Sequence, residues 1–201
     1  MRPPHTRHDE TGNALVEFGL TFPVLILLLL GVVTGGLVLD RYMTVLQLGR
    51  TGASMMSRGV DFNSAQNKQL FLRGAADLGI NLNSGRGVIY LTRVEKAAPG
   101  SANDGNLVIA ERYVVGDTAI ARSSVGQPNS SIWPDPTNPN PNGDVKDRND
   151  EPSAVAKTPA ALNTLALGES MFIAEVYASG DGLLFGSFWG SDPRLASIVY
   201  F

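Results

Sequence analysis

The stretch "TGNALVEFGLTFPVLILLLLG" (residues 11–31) holds one acid, Glu17, and from Phe18 to Leu39 the chain then runs for 22 residues without a charged side chain. As a helix rising about 1.5 Å per residue, that run reaches roughly 33 Å, enough for a bilayer core of about 30 Å. A carboxylate at the edge of hydrocarbon is costly unless a positive group pairs with it. The rest of the chain, Asp40 to Phe201, is polar enough to stand in water. The sequence therefore reads as one anchored domain, and Glu17 as a residue placed with a purpose.

Composition narrows the functions open to such a chain. There is no cysteine, which excludes disulfides, thiolate metal sites and cysteine nucleophiles. The two histidines, His5 and His8, both precede Gly12. If the polar leader 1–12 is removed, a histidine base, a Ser-His-Asp triad and a histidine-ligated zinc are excluded as well. Ser-Lys catalysis finds no S-x-x-K among Lys68, Lys96, Lys146 and Lys157. The expectation is a protein that is not an enzyme and has no cofactor. Formal net charge is −3, with no basic block to meet a phosphate backbone, so no nucleic-acid partner is expected.

Along the chain, the leader "MRPPHTRHDETG" (1–12) is polar and proline-broken, unlike a secretory signal whose apolar region precedes the cleavage site. Residues 13–60 read as one helix with its cap. The first half is apolar all round, and the second half is amphipathic through Tyr42, Val45, Leu46, Gly49, Gly52, Ala53 and Met56, at spacings of 3 and 4. Gly59 suits a C-cap.

The head, 61–201, opens with a second helix over Ala65 to Leu78. Asn63 or Ser64 caps it, Leu70, Phe71, Ala75 and Leu78 face inward, and Gly79 ends it. "GVIYLTRVE" (87–95) and "NLVIAERYVVG" (106–116), joined by turn residues, predict an antiparallel hairpin. Later strands are expected around Ser170 to Ser179 and over "LASIVYF" (195–201). Between them, 117–158 loses periodicity, and seven of the twelve prolines fall between Pro128 and Pro159. A stretch of that kind reads as a functional loop or as disorder. The fold class expected is α+β: a long N-terminal transmembrane, pilin-type helix followed by a small head with an antiparallel β-sheet.

Counting from the residue after Gly12, Asn13 is the first and Glu17 the fifth, with Phe18 and the apolar run behind it. Gly12, Ala14, Val16, Glu17, Phe18, Leu20, Pro23 and Leu25 together resemble the processing region of the TadE-like family, small pilin-like proteins of the tight-adherence branch of type IV pilus systems. The C-terminal pair Glu175 and Tyr177 is similar to an acid and aromatic two apart in a late strand of that family. Glu10 and Thr11 precede Gly12, where the family often has a basic residue.

The resemblance implies cleavage by a prepilin peptidase between Gly12 and Asn13, with the apolar segment kept. It further implies that Glu17, beside Phe18, pairs with the new terminal amine of its own or a neighbouring subunit. The implied partners are that peptidase, other pilin or pseudopilin subunits, the assembly platform and the inner membrane. The implied location is the inner membrane for the precursor, with an extracytoplasmic head, and the pilus or cell surface after assembly. The orientation rests on the resemblance, because Arg2 and Arg7 before the span are outnumbered by Arg41, Arg50 and Arg58 after it.

Other features have two readings each. Pro23 is a helix kink, lacking an N–H for the carbonyl of Gly19, or a tolerated transmembrane proline. Gly31 and Gly35 form a G-x-x-x-G that marks a close helix contact or simple tolerance of small residues. "NPNPNGDVKDRNDE" (138–151) starts like a calcium loop, but a register from Asn138 puts Asn149 at the twelfth place, and one from Asn140 reaches Glu151 but loses the glycine. No metal is assigned to it. Trp133 reads as an anchor for the long loop or an exposed adhesive aromatic. "FGSFWG" (185–190) reads as core or edge strand, or as an intersubunit contact. The alternative to a pilus protein is a membrane-anchored binding module that is neither processed nor polymerised.

Overall fold

The computed structural model describes residues 10–135, 137, 142–159, 164–179 and 195–201. The chain divides into two compact units, Met1–Leu39 and Asp40–Phe201. One helix, α1 (Glu10–Ser57, 48 residues), contributes to both. It starts three residues before the expected Asn13. It ends as Gly59 predicts. Gly59, at φ +74°, donates to the carbonyl of Met56, and Val60 donates to that of Met55. These two bonds form a Schellman cap, with Val60 and Met55 both packed against the core.

The second unit is built on a five-stranded antiparallel sheet in the order β3-β2-β1-β4-β5. The strands are β1 (Gly87–Lys96), β2 (Leu107–Gly116), β3 (Gly143–Asp144), β4 (Ser170–Ala178) and β5 (Leu195–Tyr200). The expected hairpin is β1–β2, and β4 pairs with the other side of β1. A bulge between Arg93 and Val94 leaves Ala110 as the extra residue of β2. The bulge returns Ile109 and Leu107 to the face of Val94, with which they form a core cluster.

The C-terminal half of α1 covers one face of this sheet. Val45, Leu48, Ala53 and Met56 pack with Ile89, Leu91 and Val176. Of the expected stripe, Tyr42 lies exposed, and Leu48 takes part instead. Gly49 and Gly52 set the closeness of approach. A Cβ at Gly52 would stand 2.7 Å from Leu91 Cδ2 and 3.1 Å from Phe71 Cζ. The short helix α2 (Ala65–Arg73) stops before the expected Leu78, and a 3-10 turn, Ala76–Leu78, completes the span to Gly79 in the left-handed region. Ser64 is the N-cap residue. Phe71, Ala75 and Leu78 are buried as expected, but Leu70 is 59 % exposed. Phe71, Ala75 and Leu78 share one face at i, i+4 and i+7, and Leu70, about 100° around the helix from Phe71, falls outside it.

The opposite face of the sheet is covered by 117–158. This segment was expected to be a functional loop or disorder; where described, it is packed structure without long regular elements. Val125, Ile132, Trp133, Val145 and Ala154 are buried against Val94, Ile109 and Ile173. Trp133 is thus an anchor of the loop, not an exposed aromatic. The same segment caps the outer edge of β2. Val145 N–H donates to Ala110 O, Ala156 N–H to Leu107 O, and Asn142 Oδ1 accepts from Val114 N–H. Backbone groups at a sheet edge template unwanted pairing, and this edge is closed by the chain itself. "FGSFWG" (185–190) and residues 138–141 of the calcium-like stretch lie outside the described residues.

Candidate functional site

Glu17 stands on the exposed surface of α1, within the helix that runs unbroken through Pro23. Gly12 and Asn13 lie in the same helical backbone. Four residues of helix separate Asn13 from Glu17, about 6 Å or one turn, so an amine created at Asn13 would stand on the carboxylate's side of the chain. Phe18 and Phe22 stack with ring centroids 5.2 Å apart. Pro23 has no N–H for the carbonyl of Gly19. One turn earlier, the hydroxyl of Thr21 donates to the carbonyls of Glu17 (3.0 Å) and Phe18 (3.3 Å). Thr34 does the same toward Leu30, at 2.8 Å. Such back-bonding gives the hydroxyl a partner within the helix itself.

From Ala14 to Leu39 nearly every side chain is exposed, and the helix is long and apolar enough to cross a membrane. A Cβ at Gly19, Gly31, Gly35 or Gly36 would meet nothing within 4 Å. No contact among the described residues requires these glycines, and they leave shallow places on an exposed apolar helix surface.

A second constellation lies inside the head. Arg112 on β2 and Glu175 on β4 flank β1 on the face away from α1, and both are buried. Arg112 donates through Nε to Thr92 Oγ1 (3.0 Å), through Nη1 to Gly126 O (2.7 Å) and through Nη2 to Ser123 Oγ (3.0 Å). Its guanidinium carbon lies 5.7 Å from the centroid of the Tyr90 ring. Glu175 Oε2 accepts from the Ser123 hydroxyl. Its Oε1 accepts from Ser124 N–H (2.7 Å), Ser124 Oγ (2.6 Å) and Tyr177 OH (3.0 Å). The two charges therefore meet through one serine hydroxyl, and each guanidinium nitrogen and each carboxylate oxygen has a hydrogen-bond partner. That is the condition under which a buried pair is tolerated. Burial pulls Arg112 down to about 10.

The same burial acts on the neighbouring phenols. Tyr90, whose OH donates to Ala121 O at 2.7 Å, is pushed up to about 12 by loss of water. Tyr177 is pushed up to about 12 by burial and then by Glu175. A phenol whose folded pKa exceeds its unfolded value of about 10 favours folding below that value and loses the contribution as pH rises toward 12. We expect stability of the head, followed by urea unfolding, to fall between pH 10 and 12. The fall should be shallower in Tyr90→Phe and Tyr177→Phe, and an unchanged slope in both variants would refute the assignment.

The sequence pointed to Glu175 and Tyr177, and the structure joins them by a hydrogen bond. It did not point to Arg112, Ser123 or Ser124. The available signal was a cation set in the middle of the apolar run "VIAERYVV". Glu151 is occupied as the cap of a 3-10 turn, accepting from Ser153 N–H and Asn129 Nδ2, each at 3.3 Å. Among the described residues there is no group of three or more histidine, aspartate or glutamate side chains placed to hold a metal.

Neither a curated protein nor a solved structure matches the chain. Residues 12–54 match the family model described as TadE-like protein, so the resemblance carried by Gly12, Glu17, Phe18 and Pro23 holds over the length of the N-terminal helix.

Proposed function

We propose that this chain is a minor pilin or pseudopilin of a tight-adherence type IV pilus. It is made as an inner-membrane precursor, cut between Gly12 and Asn13 by a prepilin peptidase, and assembled through α1. Its head is extracytoplasmic, it carries out no catalysis, and it acts in initiation, at the tip or in the assembly platform. The observation that carries the reading is the order Gly12, Glu17, Phe18 and an exposed apolar helix within a segment that matches the TadE-like family model. Glu17 gives that order a physical sense. The amine released at Asn13 supplies the positive partner that a carboxylate beside hydrocarbon requires.

The test is the intact mass and N-terminal sequence of the membrane-extracted protein, made with and without the cognate prepilin peptidase. The expected start is Asn13 with the peptidase and Met1 without it. A start at Met1 under both conditions overturns the pilin reading and leaves an anchored binding module.

A further inference from the structure

After β2 the chain crosses the sheet face opposite α1 as the segment Asp117–Val125, bounded by two glycines in the left-handed region, Gly116 at φ +107° and Gly126 at φ +125°. Three apolar side chains hold this segment down, Ile120 and Ala121 in one cluster and Val125 in another. Its polar attachments come from three strands and from Lys157, whose N–H donates to Val125 O at 2.6 Å. Asp117 N–H donates to Gly87 O at 2.9 Å. Tyr90 OH donates to Ala121 O, Ser123 stands between Arg112 and Glu175, Ser124 is bound twice by Glu175, and Gly126 O accepts from Arg112.

We propose that Asp117–Val125 is a latched strap that opens as a unit about Gly116 and Gly126, with Arg112 and Glu175 as its latch, while the α1 side of the sheet stays folded. Opening exchanges protein hydrogen bonds for hydrogen bonds to water and returns two buried charges to solvent, which offsets much of the loss. Parting α1 from the sheet has no such offset, since Val45, Leu48 and Met56 meet apolar side chains. Local opening proceeds through the segment with fewest buried apolar contacts. Flanking glycines absorb the change in backbone angles. The open strap uncovers Val88, Tyr90 and Val114 beside one guanidinium and one carboxylate.

The test is hydrogen exchange read by mass spectrometry on the full chain in detergent micelles, with urea below the unfolding transition. In the unaltered protein, strap amides should exchange faster than those of β1 and β4, with little dependence on urea. Glu175→Gln should speed strap exchange by about tenfold or more, the scale of a lost hydrogen bond to a charged group, and leave residues 50–57 of α1 unchanged. If strap, β1 and α1 exchange together with one urea dependence in the unaltered protein, the strap is not a separate unit and the proposal falls. That measurement decides the matter even if the variant fails to fold.

Discussion

Gly52→Leu is expected to destabilise the head strongly. At Gly52 a bare Cβ would already stand 2.7 Å from Leu91 Cδ2 and 3.1 Å from Phe71 Cζ, closer than carbon atoms approach. Leucine adds three more carbons in the same direction, into a core where Leu91 is wholly buried. Overpacking of this kind typically costs about 1–3 kcal/mol, and the better helix propensity of leucine returns only about 1 kcal/mol. The obstacle here is a helix face pressed on a central strand, so α1 itself must lift. We expect a loss of about 3 kcal/mol or more, a large part of the roughly 5–15 kcal/mol that holds a domain folded. Gly52→Ala should cost about half as much, because the tips of Leu91 and Phe71 can shift a little. Gly31→Leu, on the exposed part of the helix, is the control and should leave head stability unchanged. Urea unfolding of the three variants in micelles, followed by tryptophan fluorescence, checks the order. Equal midpoints for Gly52→Leu and the parent would show that the helix does not seat as described.

Glu17→Leu is expected to remove the protein from assembled pili while leaving membrane insertion and head folding intact. The substitution makes the apolar run longer and insertion cheaper, so membrane anchoring alone gives no reason for a glutamate there. Its value under the proposed function lies in pairing with the terminal amine. At an effective dielectric near 20, two unit charges about 4 Å apart attract by about 4 kcal/mol. Losing such an attraction once per subunit would reduce incorporation by a factor of order 10³. Immunodetection in sheared pili, normalised to the membrane pool, reads the effect. Wild-type incorporation by Glu17→Leu would refute the pairing role, and Glu17→Asp should fall between the two because its shorter side chain reaches the amine less well.

Much of the architecture could be read from periodicity. The apolar run, the amphipathic half of α1, the β1–β2 hairpin and the last two strands each carry a local signal, and each forms where the pattern places it. What could not be read depends on contacts far apart in sequence. The bulge at Ala110 reverses which side chains of β2 share a face, and nothing in "NLVIAERYVV" announces it. Arg112 looks like a solvent-facing charge until Ser123, Glu175 and Gly126 are brought to it from three later positions. The segment 117–158 lacks periodicity because it packs as a layer of turns, each apolar residue buried by its own local geometry. Leu70 shows the limit in miniature: it lies about 100° around the helix from Phe71, off the face that Phe71, Ala75 and Leu78 bury. In the processing region, by contrast, Gly12, Glu17, Phe18 and Pro23 lie within twelve residues and their order alone carries the reading.

The uninterrupted course of α1 from Glu10 to Ser57 decides where the protein can be shortened. The helix that the proposed function embeds in lipid or in a filament is the same helix whose last turns fill the core between the sheet and α2. A cut made after Ser57 to free the head would therefore take away part of its core, and one near Asp40 would keep it.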